Sequence, residues 1–371
     1  MNRRTFIAIA AGGAAASVGT AFFLCDKSNL VRSDLEIDRN ANKTLKPDEF
    51  EILSLASLAP SGHNTQPWFV QYVEPYHWII GNDRSKWLPG VDPIQRETML
   101  SLGAFAQNVE YAASSFGLSC EWTLLAKTNQ DEQVLDVRLK QNPSTARFDV
   151  APIVARRVVR SGYLPDPLKN EDVNDLFGSE REFFRYLPVG SPESTYINEQ
   201  TIEANRLQTY RDPAQQELAN WIRLSSRDAA LYRDGLTTAS MEIEGVSGLV
   251  VRNFYSKSDV MKVEFREQGL AKVREQVSSS AGWILVTSKG NAVTDLLETG
   301  RRMQRLFLKI REKGIAIHPM TQILEEPSTK DAFARSVGVT DETQFILRTG
   351  YVKEYPLPVS LRRPVEWFVR H

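Results

Sequence analysis

The sequence predicts an α+β fold in which two related lobes of one chain pack against each other. Runs with apolar residues at helical spacing alternate with short runs rich in β-branched and aromatic residues, which predict strands. The runs 103–117 and 300–314 also share a frame, because each carries glycine at its first position, glutamine at its fifth and glycine at its last. An internal similarity of this kind predicts a duplication, so that two halves meet in one chain as two subunits meet in a dimer. We therefore expect a monomeric pseudo-dimer.

Composition excludes several classes of protein. The 371 residues are 42% hydrophobic and 25% charged, with a net charge of −1, and they contain no basic run of the kind that binds nucleic acid. Two cysteines cannot build a disulfide framework, and the four histidines lack metal-ligand spacing. We therefore expect no nucleic-acid partner and no metal. The sequence also lacks the G-x-S-x-G motif of hydrolases and the G-x-G-x-x-G motif of dinucleotide-binding domains.

Residues 1–25 are predicted to be an export signal or a membrane anchor. Arg3 and Arg4 precede an uncharged apolar run that ends at Leu24, which is the pattern of a basic n-region followed by an h-region. The arginine pair resembles a twin-arginine signal, which implies the twin-arginine export machinery as a partner. The protein would then be periplasmic, or membrane-anchored and facing the periplasm. The run is nearly long enough to span a bilayer, so membrane attachment through the N-terminus stays open.

The remainder divides into a linker over 26–45, a first half over 46–150 and a second half over 151–371. The predicted elements of the first half are a helix from about Pro47 to Pro60, strands over 68–73 and 78–80, a helix that opens at Gly103 and closes at Gly117, and strands over 121–125 and 134–139. Those of the second half are a helix over 218–231, a strand over 283–287, a helix from Gly300 to Gly314 and a strand over 345–352. A loop-rich insertion near 233–265 is longer than a compact fold needs and is predicted to be a lid.

The loop between the first helix and the first strand, residues 60–68, reads PSGHNTQPW. Pro60 cannot continue a helix, and Ser61, Gly62 and Asn64 are loop formers that can turn polar groups and bare backbone toward a ligand. The string resembles P-S-x-x-N-x-Q-P-W, the signature of the FMN-dependent nitroreductase family. The resemblance implies a nitroreductase-like fold, with this loop lying against the isoalloxazine ring of FMN at the interface between the two lobes.

Residues 153–163, which read IVARRVVRSGY, resemble the opening basic segment of the same family. Val158 stands where the family has serine, which leaves open whether Arg156 or Arg157 meets the FMN phosphate. Arginine suits a phosphate because its planar guanidinium makes paired hydrogen bonds. The resemblance implies that Arg160 lies near N1 and O2 of the ring, where reduction places negative charge.

Two later segments complete the resemblance. Residues 318–322, HPMTQ, resemble the family segment whose backbone passes the reactive edge of the flavin, and Arg362 and Arg363 resemble its closing phosphate-binding motif. The cofactor-binding residues implied by the resemblance are Pro60, Ser61, Gly62, Asn64, Arg156, Arg157, Arg160, Pro319, Met320, Thr321, Gln322, Arg362 and Arg363. Of these, Arg157, Arg362 and Arg363 are the first choices for the phosphate.

The resemblance implies an FMN-binding oxidoreductase that passes two electrons from NAD(P)H, or another small-molecule reductant, to a quinone- or nitro-type acceptor. No side chain is required as a catalytic group, because the flavin carries the chemistry. The alternative is an FMN-binding protein without turnover, in which the insertion near 233–265 sequesters the flavin.

Overall fold

The computed structural model describes residues 30–34 and 44–371. The predicted signal or anchor over 1–25 and most of the predicted linker lie outside the described residues. Within the described ranges, we find no helix that combines the length and the apolar character needed to cross a membrane.

The described chain mixes helices with mainly antiparallel sheets, which confirms the α+β class. The helices are α1 (Pro47–Ala56), α2 (Arg96–Ser115), α3 (Ala151–Ala155), α4 (Asn170–Phe177), α5 (Pro192–Tyr210), α6 (Asp212–Trp221), α7 (Ser226–Tyr232), α8 (Gly245–Phe254), α9 (Lys257–Val260), α10 (Val263–Ser278), α11 (Val293–Lys309) and α12 (Pro327–Val337). The strands are β1 (Trp68–Glu74), β2 (His77–Asn82), β3 (Leu118–Leu124), β4 (Gln133–Gln141), β5 (Phe184–Pro188), β6 (Ile222–Arg223), β7 (Leu236–Thr237), β8 (Gly282–Ser288), β9 (Ile315–Pro319), β10 (Glu342–Tyr351) and β11 (Val369–Arg370).

The two halves build sheets of the same order. In the first half the order is β1-β2-β4-β3, and in the second it is β5-β8-β10-β9, with antiparallel neighbours throughout. A long helix separates the second and third strands of each set, α2 in the first half and α11 in the second. The C-terminal strand β11 crosses to the first sheet and pairs in parallel with β1. The C-terminal strand therefore completes the sheet of the first half.

Helices α2 and α11 cross at their glycines. A Cβ atom on Gly103 would lie 2.0 Å from the carbonyl oxygen of Leu297, and one on Gly300 would lie 2.0 Å from that of Leu100. The expectation that these glycines open their helices is wrong, because both lie in mid-helix, where a close approach of two backbones excludes any side chain. The predicted closing glycines, Gly117 and Gly314, do follow their helical segments, with φ values of 74° and 63°.

The polar contacts across this crossing are reciprocal. Gln304 Nε2 donates to Asn108 Oδ1 at 2.8 Å, and Arg305 Nη1 donates to Gln107 Oε1 at 2.7 Å. The spacing that relates Gly103 to Gly300 also relates Gln107 to Gln304 and position 108 to position 305. Paired contacts of this form are what a twofold interface between like units produces.

Two helix predictions differ from the structure in the extent of the helix. Helix α1 ends at Ala56, before Pro60, because two tightened turns follow it, in which the Leu58 and Ala59 amides donate to Leu55 and Ala56. The helix predicted over 218–231 is interrupted, because Ile222 and Arg223 leave α6 to pair in parallel with Leu236 and Thr237. These elements share a small core with the insertion near 233–265, formed by Ala219, Ile222, Leu224, Val251 and Val260.

Candidate flavin-binding site

A cavity of about 370 Å³ receives residues from both halves. Its volume lies in the usual range for small-molecule sites, about 300–1,000 Å³. Eleven of the predicted cofactor-binding residues line it, namely Pro60, Ser61, Gly62, Asn64, Arg156, Arg160, Pro319, Met320, Thr321, Gln322 and Arg362. Residues some 300 positions apart in the chain therefore meet at one site.

The loop over 60–68 adopts a strained backbone. His63, Asn64 and Gln66 have φ values of 48°, 55° and 55°, although none is glycine. Each such residue costs about 1–2 kcal/mol, and the conformation persists only where its surroundings hold it in place. Here Ser61 Oγ accepts from the Gln66 amide at 2.9 Å, and the Gln66 side chain is fixed by the Arg363 amide at 2.9 Å. Strain that the fold maintains in this way is typical of functional loops.

The Asn64 side chain faces protein atoms more than open space. Its Nδ2 donates to the carbonyl of Gly235 at 3.1 Å, and its Oδ1 accepts from Arg362 Nη1 at 2.8 Å. The predicted cofactor-binding role of Asn64 thus meets a competing role, since the side chain ties the loop to the insertion and to the C-terminal segment.

Arg156 and Arg362 converge on the turn that follows helix α1, and within the described ranges neither forms an ion pair with a carboxylate. Arg156 Nη2 and Arg362 Nη2 both donate to the carbonyl of Leu58, at 2.9 and 3.2 Å. Burial, followed by the charge of Arg32, lowers the pKa of Arg156 to about 9. Burial, followed by the charges of Arg156 and Arg32, lowers the pKa of Arg362 well below its usual value. Two like charges are therefore buried side by side at the cavity, and an anion bound there would offset their repulsion.

The chain neighbours of these two arginines are bound elsewhere. Arg157 pairs with the carboxylate of Glu242 at 3.2 Å, and Arg363 Nη2 donates to the carbonyls of Gln66 and Trp68 at 2.5 and 2.8 Å. Neither lines the cavity. The expectation that both bind phosphate therefore differs from the geometry, because neither guanidinium lies on the cavity wall.

Arg160 lies beside two histidines of the cavity. Its Nη1 donates to His318 Nε2 at 2.6 Å, and its Nε donates to the Ser240 carbonyl at 3.0 Å. Burial, followed by the charge of Arg160, lowers the pKa of His318 well below its usual value and that of His63 to about 4. Both rings are therefore neutral at pH 7, and the positive charge of this region rests on Arg160.

The segment after β9 reaches the cavity through its backbone. The Met320 amide donates to the carbonyl of Ile346 at 2.9 Å, which anchors the segment to β10. Met320 and Thr321 are buried, and Gln322 begins a short 3-10 turn. The segment therefore lies along the cavity wall.

Sequence reasoning missed several polar residues of the cavity. They are His63, Glu97, Gln208, Ser240, His318 and Glu325, and Glu242 was missed beside the arginines. No motif marks Glu97, Gln208 or Glu325, because they come from helices and turns that only tertiary folding brings together. His63 and His318 lie inside or beside the quoted motifs, and that position was the available signal. Among the described residues, no group of histidine, cysteine and acidic side chains could hold a metal.

Comparisons with known proteins agree with the family named above. "Probable NAD(P)H nitroreductase PigM" of Serratia sp. (strain ATCC 39006) is 23% identical over 341 residues, covering 86% of this chain and 93% of the relative. "Putative NAD(P)H nitroreductase Rv3131" of Mycobacterium tuberculosis (strain ATCC 25618 / H37Rv) is 25% identical over 332 residues, covering 85% and 90%.

Among solved structures, the FMN-dependent nitroreductase NfnB from Mycobacterium smegmatis aligns at 16% identity with a TM-score of 0.36, covering 59% of this chain and 96% of that one. A TM-score this low does not define a shared fold, so the sequence relatives carry the comparison. No family model matches the chain. The names of these full-length relatives support placing the chain with the nitroreductase family.

Proposed function

We propose that this protein is an FMN-binding oxidoreductase of the nitroreductase type. One observation carries the proposal: the signature loop and the arginines Arg156 and Arg362 line one cavity of suitable size. FMN combines a dianionic phosphate with a flat ring, so it needs both a cationic end and a wall of loop backbone. The relatives named as NAD(P)H nitroreductases support the same class of reaction and the same reductant.

The residues divide between phosphate and ring. Arg156 and Arg362 bind the phosphate, because they line the cavity and, in the part of the chain that the structure describes, donate to carbonyl oxygens and not to a carboxylate. Arg160 supplies the positive charge beside the ring, with the neutral His318 as its hydrogen-bond acceptor. The backbone over 319–321 passes the reactive edge. When bound, the flavin supplies hydride transfer from NAD(P)H to a quinone- or nitro-type acceptor, while the chain's own residues bind, orient and exclude water.

We propose further that the chain is a fused duplicate that acts as a monomeric pseudo-dimer. The equal strand order of the two sheets supports this, as do the reciprocal contacts of α2 and α11. In such a duplicate each half keeps its own share of one site, so the loop comes from the first half and most of the arginines from the second. An export signal or anchor over 1–25 stays part of the proposal on the sequence pattern alone.

A second function is favoured by the contacts of the insertion. Its residues Gly235 and Glu242 bind the signature loop and the basic segment, since Gly235 exchanges hydrogen bonds with Asn64 and Glu242 pairs with Arg157. Leu236 and Ser240 line the cavity itself. A lid held this firmly would retain FMN without admitting a nicotinamide, which is the sequestering function.

Reconstitution with FMN distinguishes the oxidoreductase from the sequestering protein. It also shows whether the protein has either function. Bound flavin is measured by its absorption and by quenching of its fluorescence, and turnover by NAD(P)H oxidation with a quinone or a nitroarene. Flavin binding with turnover supports the oxidoreductase, and binding without turnover supports the sequestering protein. A preparation that stays colourless in excess FMN would refute both.

A further inference from the structure

Two carboxyl groups, one from each half, meet in the cavity. Glu97 lies in the first turn of α2, and Glu325 directly follows the 3-10 turn Gln322–Leu324. Both line the cavity, and the two side chains lie within hydrogen-bonding reach of each other. Two carboxyls can share a hydrogen bond only when one of them carries a proton, because two carboxylates only accept and repel each other.

The surroundings place that proton on Glu325. Arg96 Nη2 forms an ion pair with Glu97 Oε1 at 2.8 Å, whereas no cation pairs with Glu325 among the described residues. Gln208 Nε2 donates to Glu325 Oε2 at 2.6 Å, which leaves the other oxygen of Glu325 to carry the proton. Burial, followed by the charge of Glu97, raises the pKa of Glu325 well above its usual value, although Gln208 and Arg96 oppose the shift.

One more acid lies on the same side. Burial, followed by the charge of Glu97, raises the pKa of Asp92 to about 6. Asp92 is occupied, because it accepts from the Thr98 amide at 3.0 Å at the start of α2, and it does not line the cavity. Of these two acids with a raised pKa, Glu325 is therefore the one that lines the cavity.

The pair also lies where the reacting part of a flavin is expected. A methyl group placed on Gly62 would be 3.6 Å from Glu97 Oε2, so this carboxyl borders the signature loop. Glu325 follows the segment 319–322 in the chain. The two carboxyls thus lie beside the two segments that the family resemblance places at the ring and at its reactive edge.

We propose that Glu325 donates the proton that the electron acceptor needs in this cavity, with Glu97 as the group that keeps it protonated. The inference rests on the proposed oxidoreductase function. Reduction of a quinone to a hydroquinone takes two electrons and two protons, and a hydride from reduced FMN brings both electrons but one proton. The second proton passes from the carboxyl of Glu325 to the quinone oxygen, where a new O–H bond forms as the carboxyl O–H bond breaks. Glu325 is left as a carboxylate and recovers a proton from water, driven by the charge of Glu97, while NAD(P)H restores the hydride.

The test compares Glu325→Gln with the exposed control Glu312→Gln in the full chain loaded with FMN. Glutamine keeps the size of the side chain and a hydrogen bond to Glu97, but it cannot give up a proton at this pH. Stopped-flow measurements follow the two half-reactions separately, and infrared spectroscopy reads the C=O stretch of a protonated carboxyl at pH 7. A positioned general acid contributes about 10²-fold or more.

We expect Glu325→Gln to lose one protonated-carboxyl band and to slow flavin oxidation by menadione about 10²-fold. Flavin affinity and the rate of flavin reduction by NAD(P)H should stay within about threefold of the unmodified protein, and Glu312→Gln should change none of these. If Glu325→Gln does not fold, Glu97→Gln provides the second arm. It removes the negative charge and offers an amide donor, so the same band should disappear at pH 7.

The outcomes distinguish two failures. A protein that binds FMN and reduces menadione equally fast with Glu325→Gln overturns the proton donor and leaves the oxidoreductase standing. An infrared spectrum in which neither variant changes a carboxyl band overturns the shared proton, with or without flavin. A protein that takes up no FMN overturns the proposed function itself.

Discussion

Two pairs of adjacent arginines have opposite environments in this protein. Arg156 and Arg362 face the cavity and meet only carbonyl and amide oxygens, whereas Arg157 pairs with Glu242 and Arg363 binds the carbonyls of Gln66 and Trp68. A run of two arginines in the sequence gives no basis for choosing between them. The difference teaches that each adjacent pair contains one arginine that lines the cavity and one that is bound within the protein.

Removing both cavity-facing arginines should have the largest effect on this contrast. In Arg156→Gln/Arg362→Gln the dianionic phosphate loses both of its charged partners. Each charge-assisted contact contributes about 1.5–3 kcal/mol, so FMN affinity should fall at least about 100-fold. Fluorescence titration of FMN measures this loss. The matched double variant Arg181→Gln/Arg335→Gln, at exposed arginines outside the cavity, should bind FMN as the unmodified protein does, and equal binding by all three proteins would refute the phosphate assignment.

Arg363→Gln should act on stability instead of affinity. It leaves the buried carbonyls of Gln66 and Trp68 without a donor, at a cost of about 1–3 kcal/mol in the free energy of unfolding. Urea denaturation without flavin measures that loss. FMN affinity of the folded fraction should stay within about threefold, whereas a drop as large as that of Arg362→Gln would erase the contrast between the neighbours.

Arg157→Gln should weaken the attachment of the insertion near 233–265 more than it weakens the binding of FMN. Its partner Glu242 also accepts from the Arg160 amide at 2.9 Å, so part of the attachment remains. We expect faster proteolysis within 233–265 and a change in FMN affinity of at most a few fold. Cleavage at the rate of the unmodified protein would mean that this ion pair does not hold the lid.

The smallest expected effect concerns the neutral histidine beside Arg160. The pKa of His63 is lowered to about 4 in the folded protein, so between pH 6.5 and 4 the unfolded chain binds more protons. Stability should therefore decrease as the pH falls through that window, and His63→Gln should make the decrease shallower. Urea denaturation at pH 6.5, 5.5 and 4.5 measures the slope. An identical slope in both proteins would show that His63 titrates normally in the fold.

Local pattern was sufficient for most strands and for the positions of the motifs. The hairpin of β1 and β2, the central strands β8 and β10, and the closing glycines Gly117 and Gly314 were all predictable from alternation and turn chemistry. The starts of α2 and α11 were not, because glycine in mid-helix looks like a boundary until a second backbone is found pressed against it.

The amino-acid sequence by itself determined the α+β class, the signature loop, and the set of segments from which a flavin site could be built. Only the tertiary structure decided which arginines face the cavity, that Gln66 and Asn64 hold the loop in place, and that Glu97 meets Glu325. The physical reason is that periodicity and turn signals act over a few residues. Which partner a buried charge meets, a carboxylate, a carbonyl or neither, depends on contacts between residues as many as 300 positions apart.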